Sequence, residues 1–349
     1  MIMPRPLGRT GVQVSSLGLG TMNFGRRCDQ EEAFRILDTA VENGITMIDT
    51  ANVYGHDPGD FSIGRGRSEE IIGRWLKQRG GYEDLVIATK MYFPMSDSAS
   101  ALGSSRRNII LECEASLKRL GVEAIDLYQL HHPSNVVPID ESLGALDDLV
   151  TAGKVRYVGT SSFAAWQLVE SLWVSDVRNC SRFISEQPVY NILDRRIERE
   201  LAPMCETYDI ALLTWSPLAG GALSDQYQHG EPSPSDSRFA TFWKGRDRDL
   251  TADTFDVIKI VRELASERGI GISQFAHAWL LQRSEPTCVL IGPRSVAHLE
   301  STLESTQVSL DKEALQMIDS VAPGGRCVLP QYGADGLAWE PWGPHLRRW

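Results

Sequence analysis

The chain has 349 residues, 42% hydrophobic and 23% charged, which is the balance of a folded globular protein and excludes disordered, collagenous and coiled-coil chains. Its 35 basic and 46 acidic side chains leave a net charge of -11, so no whole-molecule basic field exists to attract nucleic acid or anionic lipid. No apolar run approaches the ~18 residues of a membrane helix, and residues 1–11 lack the apolar core of a signal peptide. Cys28, Cys113, Cys180, Cys205, Cys288 and Cys327 are scattered without a CxxC pair and read as reduced, packed thiols. The expectation is a cytoplasmic chain with no metal, no nucleic-acid partner and no membrane partner.

Short β-rich apolar runs recur along the chain, each followed by a stretch of helical periodicity. The strands expected are Ser16–Gly20, Ile45–Asp49, Leu85–Lys90, Ile125–Leu130, Val155–Thr160, Phe183–Gln187, Ala211–Trp215 and Cys288–Ile291. The helices expected are Glu31–Asn43, Ser68–Gln78, Ser105–Leu120, Glu141–Ala152, Ala164–Val177, Ile197–Tyr208, Asp253–Arg268 and Ser295–Glu304. Eight such alternations predict an α/β fold of the (β/α)8 TIM-barrel type, whose strands are buried on both faces. A doubly wound open sheet is the competing architecture, and it usually carries GxGxxG in its first strand–helix turn. That turn here reads Gly18-Leu-Gly20-Thr-Met-Asn23 and lacks the third glycine.

Three segments fall outside the repeat. Residues 5–15 hold the turn Gly8-Arg9-Thr10-Gly11 between β-like pieces, so a hairpin would close the barrel bottom. Residues 219–250 form a long insert between strands seven and eight that should overhang the strand C-termini. Residues 322–349 carry Trp339, Trp342 and Trp349, which would either roof the mouth or pin the tail to the barrel wall. No linker interrupts the chain, so residues 1–349 are read as one domain with the barrel over 16–321.

The polar residues just past each strand carry the chemistry. Strand two delivers Asp49 and, five residues on, Tyr54; strand three ends on Lys90 and strand four in His131 and His132. Strand five gives Ser161 and Ser162, strand six Gln187, strand seven Trp215 and Ser216, and strand eight Gly292, Arg294 and Ser295. A lysine closing an apolar strand needs an acidic partner, which Asp49 can supply. A tyrosine beside that lysine would have its pKa lowered from ~10 and would protonate a carbonyl oxygen, with His131 orienting the same oxygen. Alone, Lys90 and Asp49 could be a structural ion pair and Tyr54 a packing residue; together the four are equipment for polarising and protonating a C=O group. The reductant would have to be a cofactor.

These residues sit in phrases that resemble the aldo-keto reductase family over nearly the whole chain. The phrases are Leu7-Gly-Arg-Thr-Gly11, Leu19-Gly-Thr-Met-Asn-Phe-Gly25, Asp49-Thr-Ala-Asn-Val-Tyr54-Gly55, Ala88-Thr-Lys90 and Ile125-Asp-Leu-Tyr-Gln-Leu-His131, then Gly153-Lys-Val-Arg-Tyr-Val-Gly159, Gln187-Pro-Val-Tyr-Asn191 and Trp215-Ser-Pro-Leu-Ala-Gly-Gly221. The resemblance implies NADP(H) bound in an extended pose across the strand ends, with hydride passing from nicotinamide C4 to the carbonyl carbon. It implies a tetrad of Asp49, Tyr54, Lys90 and His131 with Tyr54 as general acid. It assigns the nicotinamide carboxamide to Ser161, Ser162 and Gln187, Ser162 standing where Asn is common, and ring stacking to Trp215. Ser216, Pro217, Leu218 and Gly220 resemble the pyrophosphate loop, while Gly292, Arg294, Ser295, His298 and Thr302 fall at the 2′-phosphate end. Thr21 and Met22 complete the cofactor set, with Asp49 shared between the two roles.

Substrate contacts are expected from Asn23, Phe24, Tyr54, Tyr92, His131 and His132. The partner implied is a small-molecule carbonyl compound, and the phrases resemble a bacterial branch of aldehyde and deoxysugar-pathway reductases. A second reading is a cofactor-binding regulatory module like the potassium-channel β subunits, which share the fold. Oligomeric state and physiological direction are left open.

Overall fold

The computed structural model describes residues 2–57, 60–98, 100–235, 237–241 and 250–329. An antiparallel hairpin pairs β1 (Pro4–Pro6) with β2 (Gln13–Ser15). Eight parallel strands follow: β3 (Leu17–Gly20), β4 (Met47–Asp49), β5 (Val86–Met91), β6 (Ile125–Leu130), β7 (Val155–Ser161), β8 (Ser185–Gln187), β9 (Ala211–Thr214) and β10 (Cys288–Ile291). They pair in sequence order, and β10 closes on β3 to form a barrel. Around it run α1 (Gln30–Glu42), α2 (Arg67–Arg79), α3 (Arg106–Leu120), α4 (Ile139–Thr151), α5 (Ala165–Arg178), α6 (Leu201–Thr207), α7 (Arg238–Thr241), α8 (Ala252–Glu267), α9 (Ile272–Gln282), α10 (Val296–Glu304) and α11 (Lys312–Val321).

Strand parity divides the interior. Met47, Val86, Ala88, Leu127, Ala211, Leu213, Cys288 and Leu290 point inward and pack with Leu7 and Val14 of the hairpin in one buried cluster. The hairpin thus plugs the base. Each fully buried leucine or isoleucine there contributes about 1.5–3 kcal/mol relative to exposure. Gly8 turns the hairpin at φ +59, and a Cβ there would lie 2.5 Å from the Ile184 carbonyl oxygen. Continuing the same parity upward gives Asp49, Lys90, Gln129, Ser161 and Gln187, so the period of two that packs the base also gathers the polar upper layer.

All eight expected strands are present, and several are shorter. Ile45 donates its N–H to Ala40 and Leu85 to Tyr82, so both belong to the turns that precede their strands. The expected helix Ile197–Tyr208 is instead a 3-10 turn, Arg196–Arg199, followed by α6. Pro203 explains the break, because its ring in a continuous helix would clash with the Arg199 carbonyl. Among the described residues three helices were not anticipated, the short α7 of the insert, α9 and α11. Seven residues of α9 are buried, so it lacks the polar face that marks a helix in sequence. The amphipathic α11, capped by Asp311 accepting from Ala314 N at 2.8 Å, packs on α8 beyond the eightfold repeat.

The insert contributes a 3-10 turn, Ala219–Gly221, and α7. The tail as far as Leu329 runs back along the segment after β8, Val328 N donating to Leu193 O at 2.7 Å. Trp339, Trp342 and Trp349 lie outside the described residues. Among the described residues no helix is long and apolar enough to cross a membrane, and no group of three or more His, Cys, Asp or Glu could hold a metal ion.

Candidate active site

Lys90 of the upper layer is fully buried beside Asp49. Its three ammonium protons are all accounted for. They go to Asp49 Oδ2 at 2.5 Å, the Thr50 carbonyl at 2.8 Å and Tyr54 Oη at 3.3 Å. Tyr54 reaches Lys90 because the turn after β4 ends at Gly55, whose φ is +97 and whose Cβ would sit 2.6 Å from Arg67 Cβ. The hydroxyl oxygen accepts from Lys90, which leaves the phenolic proton for a group in the cleft.

Burial pushes the Tyr54 phenol up, and Lys90 opposes this without reversing it. The expected lowering is therefore corrected: desolvation outweighs the neighbouring charge, and the hydroxyl keeps its proton at neutral pH. Burial pulls the Lys90 ammonium down, but Asp49 and Tyr54 carry it above its ordinary value. His131 is held well below 6.5 by burial and then by the fields of Lys90, His132 and His56, so it is neutral. Its ring meets Tyr54 edge-on at 5.7 Å, and its Nδ1 is buried with no hydrogen-bond partner.

Behind the acid pair, both side-chain amides of Gln129 and Gln187 converge on Asp49 Oδ1, at 3.1 and 2.8 Å. The second proton of Gln187 Nε2 goes to Gln129 Oε1 at 3.2 Å. From this floor a cleft of about 1170 Å³ opens at the C-terminal ends of the strands. Asp49, Tyr54, His131 and His132 line one end, then Ser161, Ser162, Gln187 and Trp215, then Ser216, Pro217, Leu218 and Gly220. Gly292, Arg294, His298 and Thr302 also line the cleft, beside the N-terminus of α10. Ser162, Ser216 and Ala219 adopt left-handed backbone along this course, at φ 62, 60 and 49. Strained turns of this kind cluster where backbone is shaped around a ligand.

A model of the Aldo/keto reductase family matches residues 16–323. The chain belongs to that family. Among its relatives, an uncharacterized oxidoreductase, YrpG, of Bacillus subtilis (strain 168) is 39% identical over 91% of this chain and 95% of its own. A probable voltage-gated potassium channel subunit beta of Oryza sativa subsp. japonica is 32% identical, over 90% and 95%. The versiconal hemiacetal acetate reductase of Aspergillus parasiticus is also 32% identical, over 92% and 98%.

This aldo-keto reductase does not bring every expected residue to the cleft. Met22 and Asn23 line it, Asn23 fixed by donating from Nδ2 to the Gly292 carbonyl at 2.9 Å. Thr21 is fully buried beneath, its hydroxyl bonded to the Asp49 carbonyl at 3.0 Å and to Ser68 Oγ at 2.9 Å. Phe24 is fully buried in the outer core. Tyr92 is buried behind the rim, its ring 5.6 Å from His132, and Phe93 takes the place on the cleft wall instead. Ser295 caps α10, accepting from His298 N at 3.3 Å, and is not part of the lining. Ser161 donates to the Gln187 carbonyl at 2.9 Å, and Trp215 Nε1 reaches the same oxygen at 3.0 Å. Ser224, Gln226 and Arg238 of the insert overhang the cleft, as a long loop after strand seven would.

Gln129 and Glu186 were missed. Each had a faint signal, a polar residue inside an apolar strand. Glu186 points out of the barrel on the opposite parity from Gln187, accepting from Thr160 Oγ1 at 2.5 Å and Phe163 N at 3.0 Å. Burial pushes its carboxyl up to about 8 against those bonds. The folded state therefore binds more protons than the unfolded one between ~4.3 and about 8, so stability falls as pH rises through that window. Glu186→Gln removes this loss, and its Tm relative to wild type should rise by about 3–6 °C from about pH 5 to pH 8.5. A difference constant with pH would show that Glu186 ionises normally.

Proposed function

We propose that the chain is an NADPH-dependent oxidoreductase that reduces an aldehyde or ketone to an alcohol, with Tyr54 as general acid. The observation that carries this is the saturated Lys90 ammonium. Its bonds to Asp49, Thr50 and Tyr54 leave the Tyr54 proton as the one directed to the cleft. The residues present fit a nicotinamide dinucleotide. Gln187 Oε1 accepts no bond among the described residues and can take a carboxamide N–H, with Ser161 and Ser162 alongside. The Trp215 face suits the ring, and the turn from Ser216 to Gly220 suits a pyrophosphate. Arg294 and the first turn of α10 suit a phosphate.

When bound, that cofactor supplies the hydride. The chain's own part is to bind, orient and protonate. Neutral His131 can donate one hydrogen bond to the carbonyl oxygen and turn it towards Tyr54. Tyr54 gives its proton as negative charge develops on that oxygen, and Lys90 stabilises the phenolate left behind. Asp49 balances the ammonium and fixes its direction. Met22, Asn23, Phe93 and His132 form the walls against which a small carbonyl compound would rest. An NDP-deoxysugar intermediate is one such compound and a simple aldehyde another.

Titration with NADPH and NADH, followed by intrinsic tryptophan fluorescence, tests the cofactor assignment. A generic aldehyde such as 4-nitrobenzaldehyde then tests turnover. The expected result is preferential NADPH binding with oxidation of the reduced cofactor, and Arg294→Gln should cut the preference by about tenfold. A preference for NADH would remove the Arg294 assignment. Tight binding without turnover on any carbonyl would favour a regulatory module, the reading to which the likeness to the rice channel subunit lends weight. No binding of either cofactor would overturn both.

A further inference from the structure

Gln129 lies on β6, fully buried and with no access to the cleft, yet it holds two members of the upper layer. Its amide donates to Asp49 Oδ1 at 3.1 Å and accepts from Gln187 Nε2 at 3.2 Å. It can cross the barrel because its pairing partner on β7 is Gly159. A Cβ at residue 159 would come within 3.3 Å of Gln129 Cγ and 2.3 Å of Ser185 Oγ. On the other side its pairing partner is Lys90. The fold thus clears space for an amide where an apolar side chain would fill the barrel equally well.

We propose that Gln129 is the positioning residue of the acid pair: it ties Asp49 Oδ1 to the Gln187 amide, so that the other carboxylate oxygen stays directed at Lys90. It touches no substrate and acts through Asp49. The proposal rests on the reductase reading above. Its consequence is a link between two functions of the site. The Gln187 side chain, whose free oxygen faces cofactor duty, shares one amide network with the carboxylate that steers the proton donor. Without Gln129, the Asp49 carboxylate loses a donor, and one Gln187 proton loses its acceptor.

The groups that face residue 129 define how a charge there would behave. Asp49 comes from β4, Lys90 from β5 with Tyr54 behind it, and His131 stands two residues on. Cys288 of β10 lies in the field of Asp49. From β7 and β8 come Gly159, Ser161, Ser185 and Gln187, none of which titrates. A neutral glutamic acid at 129 reproduces both bonds, its O–H donating to Asp49 and its carbonyl accepting from Gln187. Ionised, it repels Asp49 and makes Tyr54 a weaker acid.

Two variants test this, Gln129→Glu and Gln129→Met, with wild-type turnover measured first. For Gln129→Glu we expect kcat within about threefold of wild type at about pH 5.5 and at least about tenfold lower at about pH 8.5. Gln129→Met keeps the volume and should lose about tenfold in kcat at every pH, with the NADPH Kd and carbonyl KM within about threefold. In the cofactor-free protein the same ionisation should lower the Tm of Gln129→Glu relative to wild type as pH rises. A Gln129→Glu deficit independent of pH, or wild-type kcat in Gln129→Met, overturns the assignment. So does a rise in NADPH Kd with kcat unchanged. If Gln129→Met fails to fold, the pH profile of Gln129→Glu decides alone. Failure of wild-type turnover would instead sink the reductase reading itself.

Discussion

Tyr54→Phe is expected to lower carbonyl reduction by about 10²–10⁴-fold while leaving NADPH affinity within about threefold of wild type. The ring stays, and with it the edge-on contact to His131 at 5.7 Å and the Lys90 ammonium 4.8 Å from the ring centroid. What leaves is a hydroxyl that accepts from Lys90 and offers its proton to the cleft. One Lys90 proton is then unpaired, a cost of about 1–3 kcal/mol in stability. Steady-state reduction and fluorescence titration of the same preparation separate the two effects. Because burial holds the phenol above its ordinary value, wild-type reduction should be flat through neutral pH and decline only in alkali. Turnover unchanged by Tyr54→Phe would refute its role as the acid.

Lys90→Met should be as damaging to catalysis and worse for the fold. Among the described residues the ammonium is the sole charged partner of Asp49 Oδ2, and both groups are buried. Removing one member of a buried pair leaves the other uncompensated, at about 3–5 kcal/mol. In a chain of this length that corresponds to a fall in Tm of about 4–7 °C. Turnover should drop by about 10²–10⁴-fold, because Tyr54 loses the charge that stabilises its conjugate base. The double variant Tyr54→Phe/Lys90→Met should be hardly slower than either single one, since the two side chains act as a unit. Losses that multiply in the double variant would mean independent roles. A normal rate in Lys90→Met would reduce the pair to a structural ion pair.

The barrel was legible because strands buried on both faces read as continuous apolar runs. The strand-end polar residues were legible for the same reason: Asp49, Lys90 and Gln187 interrupt those runs at their last position. Their meeting is a property of closure, which brings Asp49 and Gln187 into hydrogen-bond contact across 138 residues of chain. Less was legible where the signal depends on what surrounds a residue. Helix α9 shows no polar stripe because the barrel and its neighbouring helices cover it on most sides. Gln129 sits two residues before His131 in a strand that also holds Asp126, so polarity alone did not mark it. The direction of the Tyr54 shift needed burial to be weighed against one nearby charge, and sequence supplies only the charge. Phe24 and Tyr92 show the opposite error, since neighbours of site residues in sequence need not share their face.

The plug at the base of the barrel has a consequence for how the upper layer is solvated. With Leu7 and Val14 filling the bottom and the amides of Gln129 and Gln187 above, Lys90 is covered by protein from beneath. The ammonium is fully buried by the protein's own side chains. Its field on Tyr54 is therefore established by folding and does not wait for a lid to close over a ligand. On the proposed reading of Tyr54 as the acid, a proton donor placed this way would meet each new carbonyl already preorganised, since dipoles that are fixed beforehand have no reorganisation left to undergo as charge moves.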